Sequence, residues 1–162
     1  MLQGCTFYGP VEFQYLNVGY VWVWLVWIAS YLLVSRTRIV TGSFSTYPDA
    51  RDIGAAVVPF GLICTGLYFR NVKVEGFLSL ASVKLEADLD IDDIEVGDSF
   101  IIGAADSPVS RMSRALIRAC TVSGTMKVTN IAMGELHVRG SKAVVLLLGQ
   151  GHGGSESLCW HA

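Results

Sequence analysis

Two long apolar blocks dominate the first half of the chain, and short apolar–polar alternations fill the second. Between Glu12 and Arg36 the run FQYLNVGYVWVWLVWIASYLLVS holds 23 uncharged positions, and Val18 to Val34 is almost wholly apolar. About 20 helical residues, at about 1.5 Å rise each, span a bilayer core of about 30 Å, so this run reads as a transmembrane helix. Tyr15, Tyr20 and Trp22 near one end and Tyr31 near the other sit where amphipathic rings favour the lipid boundary. Trp22, Trp24, Trp27, Arg36 and Arg38 are the anchor residues of that reading. The alternation in Val21-Trp22-Val23-Trp24 also admits a buried strand, and a cleaved signal peptide is a further alternative.

The second block, Ile53 to Phe69, has 17 residues without charge and includes Pro59 and three glycines. Membrane helices tolerate such residues, so a two-helix hairpin stands beside a pair of buried strands or a re-entrant segment. No Lys or Arg precedes Arg36, which places the N-terminus outside. The resulting division is a tail over 1–17, a membrane region over 18–70 with a span at 18–34 and, in the two-helix alternative, a second at 53–69, a β-domain over 71–148 and a Gly/Ser tail over 149–162.

From Asn71 onward, apolar alternation is punctuated by Val96-Gly97-Asp98, Ser107-Pro108, Ser123-Gly124, Asn130 and Gly140-Ser141. Many short strands at this spacing predict a small antiparallel β-sandwich after the helix, mainly β overall. Thr121 to Val128 reads as a hairpin turning at Ser123-Gly124. In DLDIDDIEVGD, Leu89 and Ile91 share one face, and Ile94 and Val96 resume after a one-residue slip at Asp92-Asp93, which is what a β-bulge or tight turn produces.

Those strands carry a resemblance. VGDSFII, then SPVSR, ACTVSGTMKVTNIAMGELHV and KAVVLLL, over residues 74–148, resembles a β-module of bacteriophage fibre, spike and decoration proteins. The resemblance implies a β-sandwich that forms homo-oligomers, often trimers, among other virion proteins. Cys5 in a 17-residue leader, with FRNVKVEGFLSL after the second block, is also similar to nidovirus membrane and envelope proteins.

Charge and chemistry alter this picture little. Charged residues are only 16% of the chain and net charge is −2, so no basic field points to nucleic acid. The four cysteines form no CxxC pair and predict no zinc site, while Cys5 on an exposed tail is a candidate for an intermolecular disulfide. Asp88, Asp90 and Asp92 begin like a calcium loop, but Asp93 stands where that loop needs Gly and Ser99 where it needs Glu. Gly149, Gly151 and Gly154 match a dinucleotide fingerprint with only eight residues after them. His152, Ser155, Cys159 and His161 lie in the same Gly/Ser tail, which offers no scaffold for catalysis. No cofactor is implied. The sequence reading is a membrane-anchored viral structural protein, not an enzyme, whose β-domain mediates oligomerisation or docking in the virion. Its alternatives are a non-viral membrane protein with a partner-binding β-module and a nidovirus-like matrix protein.

Overall fold

A computed structural model describes residues 1–24, 26–40, 42–46, 61–104 and 109–149, with the backbone alone at Trp24 and over 157–161. Every regular element among these residues is a β-strand, and every strand pairing is parallel. The chain winds as a β-solenoid whose coils visit three faces in turn, here called B, C and A.

The first coil runs through β1 (Leu2–Gln3), β2 (Thr6–Phe7) and the pair β3 (Val11–Gln14) and β4 (Asn17–Val18). Next come β5 (Val21–Trp24), β6 (Val26–Ile28) and β7 (Leu32–Ile39), then β8 (Phe44–Ser45), β9 (Leu62–Cys64) and β10 (Leu67–Val74). The fourth coil holds β11 (Leu78–Leu80), β12 (Val83–Leu85) and β13 (Asp88–Val96). After β14 (Phe100–Ile102) and β15 (Ser110–Arg111), β16 (Arg114–Val128) covers face A and turns onto face B without a break. The last strands are β17 (Ile131–Ala132), β18 (Glu135–Arg139), β19 (Lys142–Leu148) and β20 (Ser157–His161). Faces A and B join through β16, and face C is a separate sheet of six strands.

Register is set by the inward residues. Val11, Leu32, Leu67, Leu89, Ala115 and Leu136 are successive partners in one column, which the backbone of β20 continues at Leu158. Val34, Phe69, Ile91, Ile117 and Val138 form the next inward column, and all but Val138 are fully buried. Phe44 reaches across from face B to meet Phe69 edge-on, with ring centroids 5.1 Å apart. Such a core needs one apolar side chain at each alternate position of each coil, because every coil buries its inner surface on the coils beside it.

Each long face-A strand is bent at a single residue. Tyr15, Arg36, Asn71, Asp93, Ala119 and Gly140 occupy one column and all have positive φ, from 47° to 56°. This kink lets two consecutive residues point outward, so the inward phase slips by one and apolar residues resume inside. At Asp92-Asp93 it is the slip legible in the sequence.

The helix-plus-sandwich expectation is overturned. No helix among the described residues is long and apolar enough to cross a membrane, so the anchor and the N-outside orientation derived from it fall. Phe13 to Ser35 instead contributes β3 to β7, with Val21, Val23, Val26 and Ile28 pointing into the core. The run looked continuous because Trp22 and Trp27, which alternate with those residues, are apolar as well. Of the second block, 53–60 lie outside the described residues, whereas 61–69 enter β9 and β10. β10 crosses the 70/71 boundary and pairs with both β7 and β13.

The sandwich fails for a related reason: alternation reports one buried side per strand, which a parallel coil also supplies. Ser123-Gly124 makes no hairpin. It is the corner where β16 passes from face A to face B, with a register shift against β19 between Val122 and Thr125. A Cβ on Gly124 would stand 2.6 Å from the Asp98 carbonyl oxygen, and one on Gly97 would stand 2.3 Å from that of Glu75. The corner therefore needs glycine for close backbone approach.

Candidate functional site: two contrasting outer faces

Outward positions of adjacent coils lie about 4.8 Å apart, so each outward residue meets the one above and below it. On face A these columns are ladders of opposite charge. Asp88 accepts from Arg114 at 2.5 Å, and Asp90 sits between Arg70 (2.5 Å) and Arg118 (3.1 Å). Asp92 lies 3.5 Å from Arg118, and Asn71 donates to Asp93 at 2.7 Å. Across the kink, Lys73 pairs with Glu95 at 2.7 Å and Arg38 with Glu75 at 2.8 Å. Tyr31 donates to Glu12 at 2.9 Å and packs edge-on against Tyr68, while Arg36 lies over the Tyr15 ring.

Burial pushes the Asp90 carboxyl up, but hydrogen bonds and charge from Arg70 and Arg118 outweigh it and hold it below the usual carboxylate value. A groove of about 360 Å³ follows the kinks, lined by Arg36, Asn71, Lys73, Asp93 and Glu95 among others. Asp93 already accepts from Asn71, and Lys73 and Glu95 are already each other's partners.

Asp88, Asp90 and Asp92 thus stand in a row along the outside of β13, each facing a guanidinium. Among the described residues no group of three His, Cys, Asp or Glu side chains is placed to hold a metal ion. Cys5 is half-buried and donates to the Gln3 carbonyl at 3.2 Å. Cys64 and Cys120 face the core, where burial pushes both thiols up to about 12. His152 and Ser155, with Gly151 and Gly154, lie outside the described residues. Cys159 and His161 are known by backbone only, in β20, where they pair with His137 and Arg139. The membrane-anchor residues serve other ends: Trp22 is on the outside of β5, Trp27 packs edge-on with Tyr8, and Arg36 and Arg38 belong to the face-A ladders.

Face B differs in kind. Its two outward columns are Tyr20, Ser43, Phe77, Ser99, Thr125 and Val145, and Trp22, Ser45, Ser79, Ile101, Lys127 and Leu147, of which Ser45 is buried. Lys127 is the one charged residue in them. Tyr20, Phe77, Val145 and Leu147 are 62%, 41%, 43% and 48% exposed. At the C-terminal end Val144 and Leu148 are exposed too. The sequence held the signal, alternate positions that stay apolar on the side away from the core, but without the coil register these positions cannot be gathered onto one surface. Compared with known proteins, the chain matches no family model, no curated protein and no solved structure.

Proposed function

We propose that this chain is a structural assembly module, a β-solenoid that builds a larger particle such as a virion by docking through one flat face. The observation that carries the reading is the contrast between its outer faces. On face A the charges are neutralised by their neighbours in the coils above and below, which ties the coils together. Face B sets the exposed Tyr20, Phe77, Val145 and Leu147 among serines and a threonine, with Lys127 its single charge. Exposed apolar side chains in a sheet that carries so little charge suit an interaction surface. Residues 74–148 resemble bacteriophage virion modules in sequence pattern alone, without the sandwich that resemblance implied, and this pattern is what suggests a particle as the setting.

The test is the composition of purified particles from infected cells. The polypeptide should be found at a stoichiometry matching the particle's symmetry. Particles that form with normal morphology and infectivity when the gene is deleted would overturn the reading.

A further inference from the structure

We infer that His137, Cys159 and His161 form a binding site for a zinc-class divalent metal ion on face A, where β20 lies against β18. The inference is independent of the assembly reading, and it starts from register. β20 runs parallel to β18, with Glu135 beside Ser157, His137 beside Cys159 and Arg139 beside His161. His137 stands on the outer side of β18, between the buried Leu136 and Val138. Cys159 is its partner in the same column. His161 follows two residues along β20, on the same side of that strand, because the side-chain period of a strand is two. In the sequence His137 and Cys159 are 22 positions apart, and only the coil brings them together. Cys159 and His161 thereby gain the scaffold that a Gly/Ser tail does not provide.

The spacing suits a tetrahedral ion. Neighbouring strands lie about 4.8 Å apart and alternate residues of one strand about 6.7 Å apart, so side chains at these positions can converge on one metal. Zinc takes thiolate sulfur at about 2.3 Å and imidazole nitrogen at about 2.0–2.1 Å. Two imidazoles and one thiolate leave its fourth position to water. Sulfur and nitrogen donors together select zinc over magnesium and calcium, which seek oxygen. Binding takes the proton from the Cys159 thiol and releases it to solvent.

His137 is already set as a ligand. Its Nε2 lies 3.2 Å from Glu135 Oε2, and its Nδ1 has no hydrogen-bond partner among the described residues. A carboxylate on one ring nitrogen fixes the tautomer and raises the basicity of the other, the arrangement that metal-bound histidines usually show. Glu135 is thus a positioning residue. Its negative charge also offsets Arg139, whose exposed side chain is free to extend into solvent. An ion held here would staple the segment Ser157–His161 to β18.

The experiment loads the full chain, stripped of metal by a chelator, with zinc, and separately with cobalt as a spectroscopic probe. One ion should bind per chain with a dissociation constant below about 1 µM. The cobalt form should show a thiolate charge-transfer band and the d–d bands of a tetrahedral ion. Cys159→Ser should abolish the charge-transfer band, and His137→Ala and His161→Ala should each weaken binding by about tenfold or more. Glu135→Gln should weaken it several-fold at unchanged strand content, and Glu135→Asp should restore most of the loss. Cys5→Ser, in the first coil, should change nothing. His137→Ala is decisive, because a tail that chelates by itself keeps its affinity without His137. That result overturns the inference, as does a wild type that binds no zinc or a charge-transfer band that survives Cys159→Ser. Circular dichroism checks the strand content of each variant. Should His137→Ala not fold, X-ray absorption at the zinc edge of the wild type counts the ligands: two imidazoles and one sulfur are expected, and a single imidazole overturns the site.

Discussion

Ala119 holds φ at 48°, in the left-handed region that costs an L-residue roughly 1–2 kcal/mol. It is exposed, so its methyl group gains little from burial. The next coil has Gly140 at the same place with φ 55°, and open space surrounds the position its Cβ would occupy. Ala119→Gly should therefore stabilise the protein by about 0.5–1 kcal/mol, after the extra freedom glycine brings to the unfolded chain. Gly140→Ala should cost about 1 kcal/mol, free of any clash. Urea midpoints of the two variants, moving in opposite directions at unchanged m-value, are the check. The kink was legible in the sequence at Asp92-Asp93, because Leu89, Ile91, Ile94 and Val96 show the phase slip openly. At Arg36 it was hidden, since the outward Leu33 before the kink is apolar and the inward Thr37 after it is polar.

At the scale of the element, β13 shows how the ladders work. Three aspartates on one strand would repel one another if they stood alone, but β10 and β16 place guanidinium groups on either side. Asp90 is lowered in the folded state, so it binds protons less readily there than when unfolded. Its stabilising contribution is complete above the ordinary aspartate value of about 4 and is lost as pH falls through the lower folded value. Asp90→Asn should cost about 1–2 kcal/mol near neutral pH and flatten the decline in melting temperature below about pH 4. Thermal unfolding from pH 7 to about pH 2 measures both effects. The acidic run was visible in the sequence, but its partners were not, because Arg70 and Arg118 lie 20 and 28 positions away from Asp90. β16 teaches the same lesson about turns. Ser123-Gly124 has hairpin chemistry, and only the neighbouring strands β14 and β19 reveal that it rounds a corner and continues.

For the whole molecule, the coils stabilise one another through shared columns, so a cavity in one coil is felt by its neighbours. Phe69 lies at 0% exposure between Val34 and Ile91 and against Phe44. Phe69→Ala should cost about 3–5 kcal/mol, read as a lowered urea midpoint. A loss below about 1 kcal/mol would mean that the centre of the solenoid is loosely packed. The repeat was present in the sequence as well. Leu67 and Leu89 are 22 positions apart, and Ala115 and Leu136 are 21, with the kink four residues after each. Unequal spacing elsewhere, such as Leu32 to Leu67, masks it from a simple search for period.

From Asn71 onward the sequence by itself determined which side chains can be inward, where the chain is rich in strand and where the phase slips at Asp92-Asp93. These follow from local alternation and local sterics, which neighbours in the chain dictate. Tertiary structure decided whether the strands pair parallel or antiparallel, and whether the first apolar run enters a bilayer or a core. Both choices depend on partners a full coil away. Tryptophan and valine alternating in a strand have the same mean hydropathy as in a helix, and only the coil stacked on each side shows that valines face inward and Trp22 outward. That outward row, misread as the face of a membrane helix, is the surface on which the proposed assembly rests.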